Sequence, residues 1–247
     1  MSKKFLISRQ RHLLLTFLIS LIVSALLAVT IGSFKISVFD ILLGKLDELG
    51  STILYTIRMP RVMLAAFVGA SLAISGACLQ GLFRNPLADP GLIGVSAGAA
   101  LGAAFAIVFS SRFISLDFLG PYLIPFSAII GSASVIIILF VITKGFGYDG
   151  VTYMLLAGIA VNAIAGVGIG VLTYISDDSE LRSLTFWTMG SFGGVTWPLI
   201  MPAILVILFS IVWIIGLSRK LDLIQLGDVE ASRLGVNIKK VRFGVII

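Results

Sequence analysis

The chain has 247 residues, 58% of them hydrophobic and only 12% charged, with a mean hydropathy of +1.12. No water-soluble domain balances that way, so the sequence reads as an integral membrane protein. The formal net charge is +6, but the basic residues lie between apolar runs rather than in one patch, which argues against a nucleic-acid partner.

A basic start (Lys3, Lys4, Arg9, Arg11) precedes the apolar run 13–34. That run is longer than a signal-peptide core and has no convincing cleavage site, so it is read as a retained span with its N-terminus in the cytoplasm. Residues 35–56 form a short outer segment with an amphipathic piece at 38–43. Residues 62–83 return inward and end in a polar, proline-bearing elbow at 84–90. Residues 90–111 go out, 118–143 come back and 150–176 go out again. The uncharged run 183–218 is 36 residues long, more than the ~20 that one span needs. Gly190, Gly193, Gly194 and Pro198 divide it into LTFWTMGSFGGVTW, lying at the outer face, and a span over 198–218. Residues 243–247 open a further apolar run. The expected fold is an all-α, polytopic transmembrane helical bundle with six spans and the start of a seventh, in one domain over 1–247. This topology places twelve Lys and Arg inside and six outside, in line with the positive-inside rule.

Small residues recur every fourth position along three spans: Ala65, Gly69, Ala73, Ala77 and Gly81; Gly94, Gly98 and Gly102; Gly158, Gly166 and Gly170. Each set shares one helix side and lets backbones approach closely in lipid. Asn162 falls on the third ridge as the one amide in mid-span. It either ties two helices together or faces an aqueous route.

No carboxylate pair, nucleophile–base arrangement or His-containing motif lies in the spans, so no catalytic residue is assigned. Cys78 and His12 are each alone, which leaves no disulfide framework, no metal site and no cofactor. The apolar runs also carry no Asp, Glu, Lys, Arg or His, which ion-coupled carriers usually need at membrane depth. Uphill transport would need energy from elsewhere, and without a G-x-x-x-x-G-K-[ST] loop an ATPase must be a separate chain.

Three places are candidates for function. Arg58 and Arg61 flank Pro60 at the outer end of the second span. Pro60 is expected to end the helix backwards and present both guanidiniums outward from a rigid step, suited to carboxylates; headgroup anchoring is the plainer reading. Asn85 and Leu87 at the elbow, with Val151 and Thr152 opening the fifth span at the same depth, suit an uncharged inner constriction. Residues 219–242, RKLDLIQLGDVEASRLGVNIKKVR, read as two short cytoplasmic helices forming a knob rather than a plain basic loop. Asp228 is the expected N-cap of the first, Gly235 its left-handed end, and Asn237 the cap of the second.

RMPR, followed by GASLAISGACLQGLFRNPLADPGLIGVSAGA, resembles the signature of FecCD-type permeases, the membrane subunits of ATP-driven importers for iron–siderophores, haem and vitamin B12. The resemblance extends over essentially the whole chain. It implies a bundle of about ten spans, each of about 20 residues, so the chain is read as lacking its last third. It also implies a bacterial cytoplasmic (inner) membrane location, alternating access driven by separate ABC ATPase subunits, and a dimer with a second copy or a paralogue. LGDVEASRLGV resembles the family's ATPase-coupling loop through Gly227, Glu230, Ala231, Leu234 and Gly235, departing from the fuller E-A-A form at Ser232. By the same resemblance Arg58 and Arg61 receive acidic residues of an extracytoplasmic substrate-binding protein. The helix containing LLAGIAVNAIAG, with Asn162 and Gly166, lines the translocation path. DDSELRSLTFWTMGSFGG is nearest the haem branch, so the expected cargo is an iron chelate, haem or a ferric siderophore. The rivals are a secondary carrier and a non-transporting membrane subunit.

Overall fold

The computed structural model describes residues 3–110, 117–143 and 150–246, with side chains from 11–110, 120–143 and 152–246. Arg112 and Lys144, both in the charge count, fall outside the described residues, as do the side chains of Lys3, Lys4, Arg9 and Val151. All described regular elements are helical: α1 (Lys3–Thr30), α2 (Val38–Leu42), α3 (Glu48–Thr52), α4 (Met59–Phe83), α5 (Val95–Ser110), α6 (Leu123–Thr143), α7 (Gly150–Ile175), α8 (Asp178–Met189), α9 (Trp197–Ile224), α10 (Asp228–Arg233) and α11 (Ile238–Ile246).

Five helical stretches are long and apolar enough to cross a membrane: Arg11–Thr30, Glu48–Phe83, Gly120–Thr143, Thr152–Ile175 and Trp197–Ile224. The remaining expected span, 90–111, the third in chain order, is shorter. The Asp89 carboxylate accepts from Gly91 N at 2.6 Å and Pro90–Ile93 forms a 3₁₀ turn, so only the 16 residues of α5 are α-helical. Those rise about 24 Å, against a hydrocarbon core of about 30 Å. Residues 243–246, expected to open a further apolar run, are the second half of α11.

The chain divides into two units. In the first, Met1–Gly69 with Phe192–Leu205, helix runs unbroken from α3 into α4 through a π-helical turn, Ile53–Arg58. Pro60 therefore does not end the helix, contrary to the expectation from sequence. A proline ring in an α-helix strikes the carbonyl four residues back and returns no N–H. The wider π turn just before it, in which Met59 N bonds Leu54 O, makes room for that ring. Trp197 Nε1 donates to Tyr55 O at 2.8 Å, pinning the start of α9 to this turn.

The second unit, Ala70–Ser191 with Val206–Ile247, is built on close helix approach. A Cβ on Gly98 would meet Gly131 O at 2.7 Å, and one on Gly102 or Gly131 would strike the facing backbone of α6 or α5. The glycine ridge expected on this span is thus the α5–α6 contact itself. Gly158 of α7 meets the 3₁₀ turn in the same way, its Cβ position lying 2.9 Å from Ile93 Cα. Beneath the elbow, Leu79, Leu82 and Phe83 of α4, Ala88, Ile93, Leu139 of α6, Met154 of α7 and Leu221 of α9 form one apolar core. A second joins Ala104, Ile107 and Val108 of α5 to Leu172 of α7 and Leu184 of α8. The uncharged run 183–218 breaks where its glycines fall: α8 stops at Gly190 (φ +73) and α9 begins at Trp197.

Candidate functional site

The elbow is a rigid hydrogen-bonded turn. α4 ends with Arg84 in the left-handed region (φ +51), and Asn85 N reaches back to Gln80 O at 3.1 Å, closing the last turn. The Asn85 side chain accepts from Leu87 N at 2.9 Å, and Ala88 N bonds Asn85 O. Ala88 is buried in the core while Leu87, one residue earlier, is 83% exposed. Asn85 and Thr152 are exposed as well. From α7, Asn162 Nδ2 donates to Gly91 O at 2.9 Å. Of the two readings of this amide, the structure takes the tie between elements: it adds a second bond to Gly91 O, which already accepts from Gly94 N at 3.2 Å in the 3₁₀ turn. Gly166, one turn on, is exposed with nothing within 4 Å of a Cβ position.

The knob has the expected two helices, α10 and α11. Gly235 (φ +83) follows the last turn of α10, with Val236 N bonded to Ala231 O and Gly235 N to Ser232 O, both at 3.0 Å. This is the Schellman pattern, and its usual apolar contact is present: Ala231 and Val236 are buried together with Ile224 and Val241. Asn237 Oδ1 accepts from Lys240 N at 3.1 Å, capping α11 as expected. The cap of α10 differs. Gly227 (φ +116) holds the N-cap position without a side-chain bond, and Asp228 is the first helical residue. Its carboxylate is engaged elsewhere: Oδ1 accepts from Arg84 at 2.8 Å and Oδ2 from Arg242 at 2.6 Å. Glu230 pairs with Arg233 on the surface, and Leu226, Val229 and Leu234 are exposed apolar side chains beside it. Ala231 is therefore a packing residue, Gly227 and Gly235 set the backbone, and Glu230 and Leu234 form the presented face.

Arg58 and Arg61 part company. Arg61 is exposed. Arg58 is buried, against the expectation that both guanidiniums face outward. It donates to Val29 O at 2.6 Å, to Thr30 O at 3.0 Å and to Phe34 O. Those carbonyls belong to the end of α1 and the chain just after it, where a helix leaves unpaired acceptors and a negative dipole end.

Residues 18–247 match the family model of the FecCD transport family. The chain belongs to the FecCD transport family. It is 41% identical over 239 residues to the hemin transport system permease protein HmuU of Yersinia pestis, covering 96% of this chain and 71% of that protein. It is 35% identical over 239 residues to the vitamin B12 import system permease protein BtuC of Vibrio vulnificus (97% and 69%). It is 32% identical over 235 residues to the molybdate import system permease protein MolB of Haemophilus influenzae (92% and 67%). A solved ABC transporter assigned to the metal-chelate type, in an inward-facing conformation, superposes with a TM-score of 0.81 at 30% identity, over 96% of this chain and 71% of that one. This FecCD chain is accordingly a multi-pass ABC importer permease, a transport subunit and not an enzyme.

Sequence reasoning missed Arg84 and Arg242 altogether, and gave Asp228 a capping role. The signal available was charge: residues 219–242 carry three acids, Asp222, Asp228 and Glu230, among six bases. It missed Leu226 and Val229 because nothing local marks an apolar residue of a short helix as exposed rather than packed.

Proposed function

We propose that this FecCD permease imports an iron chelate, haem first and a ferric siderophore second, by alternating access driven by separate ATPase subunits. The observation that carries the cargo is the ranking of identities: 41% to a hemin permease, against 35% and 32% to the B12 and molybdate permeases. In this reading the chain lies in the bacterial inner membrane with its N-terminus inside. The knob, through Glu230 and Leu234 with Gly227, Ala231 and Gly235 shaping it, docks on the ATPase. Asn85, Leu87, Val151 and Thr152 form the inner constriction, and α7, with Gly166 exposed and Asn162 holding the helix to the 3₁₀ turn, lines the path at the contact with a second permease copy or a paralogue. A substrate-binding protein outside meets Arg61, with Arg58 holding the helix that carries it. The test is uptake into vesicles holding the permease, its ATPase and its binding protein, with labelled haem, a ferric siderophore, cobalamin and molybdate compared. ATP-dependent haem uptake, displaced by excess unlabelled haem and not by cobalamin, is the expected result. Cobalamin or molybdate uptake equal to that of haem would sink the cargo assignment, and uptake driven by an ion gradient without ATP would sink the mechanism.

A further inference from the structure

We propose that Asp228 is a positioning residue that ties the ATPase-facing knob to the elbow, so that the two move as one body. The proposal deepens the functional reading above and rests on it. Three observations meet at this carboxylate. First, it is nearly fully buried, and each oxygen takes a different arginine: Arg84 from the end of α4 at 2.8 Å, Arg242 from α11 at 2.6 Å. One side chain therefore bridges the elbow, α10 and α11 through two charge-assisted bonds, the strongest hydrogen bonds available to a protein. Second, Arg84 is the one non-glycine residue with positive φ among the described residues. Backbone that L residues avoid persists where the surroundings hold it, and here the guanidinium of that same residue is what is held. Third, Arg84 is followed directly by Asn85, and the Asn85 side chain fixes Leu87 N. The route from Asp228 to Leu87 is thus two hydrogen bonds and a short, closed stretch of backbone.

The chemistry makes this link hard to replace. A neutral group at position 228 would remove the negative charge that both guanidiniums share, and with it the link it makes between α4 and α11. Apolar contacts between the knob and α4 would slide under load, whereas a carboxylate shared by two arginines resists both translation and rotation. Movement imposed on α10 by an ATPase is therefore delivered to the elbow rather than lost at the joint.

The test uses the full permease assembled with its ATPase in lipid nanodiscs, with spin labels on Leu87→Cys and Ser232→Cys, both exposed positions. In the otherwise unaltered protein the label-to-label distance should be the same without nucleotide and with ATP. In Asp228→Asn it should broaden and become nucleotide-dependent, transport should fall about tenfold, as loss of a typical coupling energy gives, and the ATPase should still bind. Arg84→Gln should behave like Asp228→Asn, and the double variant should be no worse than either. Arg84→Lys, which keeps the charge, should retain most of the tether. Arg84 is partly exposed, so its variants serve if Asp228→Asn fails to fold. A distance that already changes with nucleotide in the unaltered protein, or that is unchanged by Asp228→Asn and Arg84→Gln, overturns the proposal. A failure of the underlying reading shows itself differently: Ser232→Cys would then form no crosslink to the ATPase, and the claim of transmission would fall even with the distance fixed.

Discussion

Arg58 and Arg61 stand three positions apart, and the fold gives them opposite environments. Arg58 closes two carbonyls at the end of α1, where a helix favours a fixed positive charge, and one in the chain just after it. Arg61 is exposed. Arg61→Glu should therefore weaken docking of the binding protein about tenfold or more, with the loss greatest at low salt. An acidic-to-basic change on the binding protein should restore it. Arg58→Ala should instead lower the thermal stability of the solubilised permease, since each buried carbonyl left unpaired costs about 1–3 kcal/mol. Docking measured by surface plasmon resonance beside a melting curve separates the two roles. If Arg58→Ala abolishes docking at an unchanged melting temperature, the division of labour is wrong. Sequence makes the pair visible as an unusual motif at a span end. It does not reveal which arginine is used internally. That depends on residues 30–34 folding back over the guanidinium, where a Cβ on Gly32 would collide with it, and no local pattern reports such a return.

Helix ends are the part of this fold that reads most directly from residue type. Gly235 and Asn237 occupy the places their chemistry predicts, because a left-handed end and a side-chain cap are local geometry. Asp228 misleads for the opposite reason. Its partner Arg84 lies 144 residues away, and a capping rule looks only a few residues ahead. Pro60 misleads because the rule that proline ends a helix takes no account of a π turn just before it, in which Met59 N bonds Leu54 O. The knob's two readable positions give the next prediction. Gly235→Val forces a β-branched residue to φ +83, a strain of about 1–3 kcal/mol concentrated at the joint between α10 and α11. Glu230→Lys leaves the backbone alone and reverses a charge on the presented face. Both should reduce ATP-driven uptake and ATPase pull-down, Glu230→Lys without loss of knob structure by proteolysis, Gly235→Val with it. Normal ATPase binding by both variants would remove the docking assignment.

At the scale of the whole chain, one sequence pattern has two outcomes. The ridge Gly98–Gly102 is consumed inside the second unit against Gly131 and its neighbours, whereas Ala65, Gly69, Ala73 and Ala77 of α4 and Gly166 and Gly170 of α7 lie exposed. Spacing shows that a helix face is built for close approach. Only tertiary structure shows whether this chain supplies the other side. A second permease copy across α7 would cover Gly166 and Gly170, and would bring the exposed Leu87 and Thr152 of each copy toward a common axis. On that arrangement a cysteine at Leu87 or Thr152 should crosslink to its counterpart in the partner copy. The yield should depend on nucleotide, because opening and closing of an uncharged constriction is what alternating access requires of this end. Cys78 is the sole native cysteine and is buried, so Cys78→Ala provides a clean background for the measurement. Cysteines at the exposed Phe17 of α1 serve as the control and should crosslink with no nucleotide dependence, if at all. Equal yields at Leu87 and Thr152 with and without ATP would mean that these positions are not a gate. Equal yields in Asp228→Asn alone would instead place the defect at the joint that moves them.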